Sequence, residues 1–111
     1  MSNQLISDAD VQKALDYLRD TAETVAKARA ERIYMEEYRK SKKAMIMAEH
    51  LNLPVSAQER EAYADPRYIQ HLESLRTAIE LDEKGRFMRQ AADAKIEAWR
   101  TMNANYRSMK L

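Results

Sequence analysis

Glycine occurs once and proline twice in the 111 residues of this chain, and cysteine does not occur. Folds with many tight turns draw on glycine and proline at their corners, so this shortage argues against a β-sandwich or an α/β domain. With one glycine there can be no glycine-rich phosphate loop. Without cysteine there are no disulfides, thiolate metal sites or cysteine nucleophiles, and the composition fits a reducing compartment. No apolar run approaches the roughly 18 residues that span a bilayer. The opening MSNQLISDADVQK has neither a basic n-region nor an apolar h-region, so no signal peptide is expected. A soluble, intracellular protein is the expectation.

What is abundant points to helices. Hydrophobic residues make up 45% and charged residues 33%, with Ala, Glu, Lys, Arg and Met prominent, which is the composition of long helices with a core. The length allows one domain, 1–111, with a flexible N-terminus over 1–6. Ser7 followed by Asp10 reads as a capping-box start, and no breaker appears before NLPVS. The spacing therefore predicts a helix over about 8–51, stopped by Asn52 and Pro54. Ser56 with Glu59 offers a second capping box for a short helix over 56–64. Asp65 as N-cap with Pro66 at the first helical position opens a third helix over about 66–108. The fold class is all-α, a long antiparallel helical hairpin.

A corner centred near residue 59 sets position i beside roughly position 119−i, so that Gly85 faces Tyr34. The acids Asp8, Asp10, Asp16, Asp20 and Glu23 then face Arg100, Arg107 and Lys110, and Glu80, Asp82 and Glu83 face the Arg39 region. At 100° per residue Val11, Leu15, Leu18, Ala22, Ala26 and Ile33 share a face, continued by Ala44, Met47 and Leu51. Tyr34, Tyr38 and Met45 form a second stripe. In the last helix Leu72, Leu75 and Ile79 share one face, while Leu81, Met88, Trp99, Met102 and Tyr106 lie on another. The seam is expected to change face around Gly85, through a kink or because the leftover stripes meet a second chain. A lone hairpin of this length buries little per residue, so a homodimer or higher oligomer, as a helical bundle or coiled coil, is favoured, with Tyr34, Tyr38, Met45, Leu81, Met88, Trp99, Met102 and Tyr106 as the oligomer or partner interface.

Catalytic chemistry is not expected. His50 and His71 stand alone, Glu49 beside His50 has no companion ligand at helical spacing, and the Glu-x-x-His pattern of helical di-iron proteins is absent. No Ser, His and Asp are set as a triad. No enzyme, metal, cofactor or small-molecule substrate is implied. The basic run of Arg39, Lys40, Lys42 and Lys43 scatters around a helix. Only Arg32, Arg39 and Lys43 form a ridge, joined by Arg86 and Arg89 if assembly aligns them, and these five are the candidate nucleic-acid contacts. The tyrosines point away from that ridge, unlike the stacking platforms of single-strand binders.

Four segments carry a resemblance. They are Glu59–Ala64 (Glu-Arg-x-Ala-Tyr-Ala), Pro66-x-Tyr68, Leu72–Ile79 (Leu-x-x-Leu-x-x-Ala-Ile) and Ile96–Thr101 (Ile-Glu-x-Trp-Arg-Thr). Together they resemble a group of small all-helical proteins of tailed bacteriophages, often encoded near recombination and replication genes. Gly85 stands where the group leads one to expect a larger residue. The resemblance implies a cytoplasmic accessory role in a bacterial host, through protein–protein contacts with a phage or host protein. The alternatives are a weak, sequence-indifferent DNA-binding accessory protein and a virion-assembly component.

Overall fold

In a computed structural model, which describes residues 5–110 and only the backbone of Lys110, the chain is all-α. The elements are α1 (Asp8–Asp20), α2 (Ala22–Met47), a 3-10 turn at Ala48–His50, α3 (Val55–Ala64) and α4 (Pro66–Lys110). The chain runs out along α1 and α2, turns through α3 and returns along α4 as an antiparallel hairpin. Residues 1–4 of the expected flexible segment lie outside the described residues. Leu5 and Ile6 form a bend before α1.

Local chemistry accounts for the helix starts. Ser7 Oγ accepts from the Asp10 amide at 3.1 Å, and the Ser7 amide donates to Asp10 Oδ2 at 3.0 Å, closing the capping box. Asp65, held extended ahead of Pro66, accepts from the Arg67 amide at 2.8 Å and opens α4. Ser56 does not cap α3. That helix begins at Val55 behind an extended Pro54, with no side-chain cap, because the proline ring already sets the entry. The first helix is interrupted at Thr21, whose hydroxyl donates to the Tyr17 carbonyl at 2.6 Å. Such back-bonding disturbs a helix without ending it. The ladder runs on through Thr21 N to Tyr17 O and Val25 N to Thr21 O. α2 stops at Met47, and a 3-10 turn carries the chain to Leu51, so the helix falls four residues short of the expected end. Gly85 lies within continuous α4 without a positive φ.

The packed seam differs from the one read off the apolar stripes. Buried or half-buried positions recur at alternating intervals of three and four: Val11, Ala14, Leu18, Thr21, Val25, Ala28, Arg32 and Met35, then past the exposed Arg39 to Lys42 and Ile46. On α4 the same rhythm takes Tyr68, His71, Leu75, Ala78, Asp82 and Gly85, then Arg89, Ala92, Ile96, Trp99 and Asn103. This is the heptad spacing of a coiled-coil seam, and it keeps one face along all of α4. The expected change of face at Gly85 does not occur. Leu15, Ala22, Ala26, Ile33, Ala44, Leu51, Leu72 and Ile79, expected on the core face, are exposed, whereas Ile46 is only 2% exposed.

The chain packs as two compact units, and α2 and α4 run through both. One draws on the described residues up to Val25 and from Lys84 onward, the other on Ala26–Glu83. In the first, Arg89 donates to the Leu18 carbonyl at 3.1 Å and Trp99 Nε1 to Asp8 Oδ1 at 2.9 Å. There Gly85 meets Val25, nine residues earlier than the expected Tyr34. The early end of α2 accounts for up to four residues of that displacement. In the second unit Ile46, Ala62 and Tyr68 form the core of the corner with Met47 against them. Gln58, almost fully buried, donates to the Leu53 carbonyl at 2.8 Å and ties α3 to the loop before it.

Candidate functional site

Several ionisable groups are engaged within the fold. In the Ala26–Glu83 unit Asp82, nearly buried in the seam, accepts from Arg32 Nε, and Arg32 Nη1 reaches Glu36 at 2.9 Å. The hydrogen bond to Asp82, then that to Glu36, holds the Arg32 guanidinium above its ordinary pKa. The expected partners of Asp82 near Arg39 are thus replaced by Arg32, as the displaced register requires. His71 sits 2.7 Å from the Met35 carbonyl through Nε2, and since a carbonyl only accepts, Nε2 carries the proton. Among the described residues no three His, Cys, Asp or Glu side chains converge as metal ligands would.

The candidate nucleic-acid residues are placed as follows. Arg32 is committed to Asp82 and Glu36. Lys43 lies 4.6 Å over the Tyr63 ring and 3.6 Å from Glu59, and its hydrogen bond to Tyr63 is the leading cause of its raised pKa. Arg89 is half-buried on the Leu18 carbonyl, and Arg86 packs over Phe87 at 4.6 Å. Arg39 is exposed. Arg32, Lys43 and Arg89 therefore work inside the packing. The terminal charges also pair locally: Arg19 with Asp16 and Asp20, and Arg100 with Glu97, where the sequence suggested pairing across the hairpin.

Two flanks border the seam. Tyr34, Tyr38, Ser41 and Met45 each stand one position ahead of a seam residue on α2, and Gln70, Ser74, Thr77 and Leu81 do so on α4. In an antiparallel pair these positions fall on one side. The contact between the Tyr38 and His71 rings, 5.6 Å between centroids, places Tyr38 across the seam on that side. Tyr34, 62% exposed, stacks on Tyr38 with centroids 5.8 Å apart and planes at 15°. A hollow of about 350 Å³ opens beside them, with Glu37, Lys40 and Ser41 completing its wall. Met45 and Leu81, 51% and 57% exposed, continue this flank. The opposite flank of the same unit is aliphatic but charged: Ile33, Ile69, Leu72 and Ile79 alternate with Arg29, Glu36 and Arg76.

In the other unit Met88 lies one position ahead of the seam, over a hollow of about 190 Å³ shared with Lys13, Tyr17, Ala91 and Lys95. Trp99 is a seam residue anchored by Asp8, Met102 is half-buried and Tyr106 exposed. A larger hollow beside Trp99, about 730 Å³, is walled by α4 residues including Arg100, Asn103 and Arg107, and Arg100 is already bound to Glu97. The structure thus groups Tyr34, Tyr38, Met45 and Leu81 on one flank and assigns Trp99 to the packing. Sequence reasoning missed Gln58, His71 and Asp82 as buried polar positions. For His71 and Asp82 the three-and-four spacing with Tyr68, Leu75 and Ala78 was the available signal. Among the described residues no helix is long and apolar enough to cross a membrane. No protein family, no curated protein and no solved structure matches the chain.

Proposed function

We propose that this chain is a non-enzymatic helical accessory protein that acts through protein–protein contacts, in the phage recombination or replication setting that the sequence resemblance implies. One observation carries the contact reading. The seam is built largely from small and polar residues, while Tyr34, Met45, Leu81, Ile33 and Ile69 remain between 44% and 62% exposed on its flanks. A chain of this size that gives seam positions to Ala, Gly, Asp and His while five large apolar side chains stay about half exposed has apolar surface to cover. Tyrosine and methionine are also the side chains that protein interfaces concentrate. The DNA-binding alternative draws less support, because three of its five cations are engaged within the fold.

The reading is tested by affinity capture from cells that express the gene, run in parallel with Tyr34→Lys and Ile33→Lys variants. A protein held by the wild type at moderate salt and lost from one variant supports it. Equal recovery by all three, together with a mobility shift of duplex DNA at physiological salt, overturns it in favour of the phosphate-directed alternative.

A further inference from the structure

We infer that the tyrosine flank of the Ala26–Glu83 unit is a self-association surface whose occupant is a second copy of this chain, a deepening that rests on the contact reading above. In a chain with 33% charged residues, the eight flank positions Tyr34, Tyr38, Ser41, Met45, Gln70, Ser74, Thr77 and Leu81 carry no charge at all. The flank on the other side of the seam bears Arg29, Glu36 and Arg76 among its aliphatic residues, while on the tyrosine flank the charges stand outside these eight positions, with Glu37 and Lys40 walling the hollow. The difference bears directly on what can cover each face.

A two-fold contact sets a surface against its own image, so uncompensated charge near the axis meets like charge. A charge-free strip meets no such penalty. The neighbouring charges are also compatible. Glu37 and Lys40, which border the hollow, neutralise each other at 3.2 Å. Lys42 is drawn over the Tyr38 ring at 6.0 Å. Beyond the strip's two ends stand Glu31 and Arg67, and Arg67 is already neutralised by Glu49 at 2.6 Å and Asp65 at 3.0 Å. Serine, threonine and glutamine supply donors and acceptors that can pair with their own kind, and the exposed ring of Tyr34, already stacked on Tyr38, offers a flat anchor.

The surface is small. Tyr34 to Met45 spans about 16 Å of helix, and two helix widths give a patch of a few hundred Å², below the roughly 800 Å² per partner of stable complexes. The association is therefore weak, with half-dimerisation on the order of tens of micromolar.

Sedimentation velocity of the full chain from about 1 to 200 µM, at about 150 mM salt so that surface charge is screened, tests this with the wild type, Tyr34→Lys and Ile33→Lys. Both substituted positions are solvent-facing, and circular dichroism confirms that each variant is helical. The wild type should associate, Tyr34→Lys should weaken association at least about tenfold, and Ile33→Lys should leave it within about twofold. A wild type that stays monomeric throughout overturns the inference, as does an association abolished by Ile33→Lys and spared by Tyr34→Lys. A monomeric wild type that nevertheless captures another protein through Tyr34 refutes the second copy and leaves the contact reading standing. Monomer with no flank-dependent capture refutes both.

Discussion

Replacing Gly85 by alanine should stabilise the protein. A Cβ built at position 85 lies 3.4 Å from Val25 Cγ2 and 3.7 Å from Cγ1, ordinary van der Waals contacts that require no movement of the facing helix. Gly85 is interior to α4 and has no positive φ, so no backbone conformation is at stake. Alanine in a helix interior is favoured over glycine by roughly 0.8–1 kcal/mol, chiefly through the lost freedom of the unfolded chain. The added methyl also fills space against Val25. A net gain of about 0.5–1 kcal/mol follows, or roughly 2–4 °C in Tm for a chain of this length. The measurement is urea unfolding followed by helical ellipticity, with the m-value expected unchanged so that the midpoint alone moves. Gly85→Leu provides the opposite sign, because its branch overfills the seam and should cost about 1–3 kcal/mol. Destabilisation by Gly85→Ala would refute the reasoning, since it would mean that the helices approach closer than 3.4 Å and the hydrogen is a steric requirement. A neutral Gly85→Leu would refute it from the other direction, by removing position 85 from the seam.

Ser7→Ala removes the acceptor that closes the capping box and should lower stability by about 1 kcal/mol, read in the same urea assay. Stability should fall as pH drops below the ordinary aspartate value of 3.8, because Asp10, through hydrogen bonds from the Ser7 amide and hydroxyl, and Asp65, through its bonds to Arg67, both sit below it in the folded state. A depressed folded pKa contributes stability that is complete above the unfolded value and disappears as pH falls through the folded one. Thermal melts from pH 6 to pH 2 should show that slope, and Asp10→Asn with Asp65→Asn should flatten it. Asp82→Leu alone should lower Tm more than Arg32→Leu and Asp82→Leu together, since the single change leaves a half-buried guanidinium with Glu36 alone.

Much of the fold is legible in local chemistry. Scarce glycine and proline, the Ser7 box and the Asp65–Pro66 start lead to long helices and an antiparallel return, because each signal acts within a few residues of itself. The seam is not legible from apolar periodicity, because Thr21, Arg32, His71, Asp82, Gly85 and Arg89 occupy positions where a stripe search looks for leucine. Ile33, Leu72, Ile79 and Leu81 are the stronger apolar signals, and they lie beside the seam. The register depends on where α2 ends, and that end follows from the packing of Ile46 against Ala62 and Tyr68, a contact between distant residues. The tyrosine flank was legible as a stripe, since Tyr34, Tyr38 and Met45 repeat at helical spacing. Its lack of charge emerges only when Gln70, Ser74, Thr77 and Leu81 are brought alongside.

The polar seam of the Ala26–Glu83 unit has a further consequence, for alignment. An all-leucine seam can slide by seven residues and find the same contacts again. Here a slip that carried Asp82 to the level of Val25 would leave its carboxylate unanswered in the interior, and the opposite slip would set it against the exposed Arg39 in place of the half-buried Arg32. The pairing of Arg32 with Asp82 thereby favours one alignment of the two helices, whatever happens on the flanks. Spin labels on α2 and α4 should report one narrow distance in the native protein and a broadened distribution once Arg32 and Asp82 are both leucine. A single alignment also means that anything bound on the outside meets the same row of side chains every time.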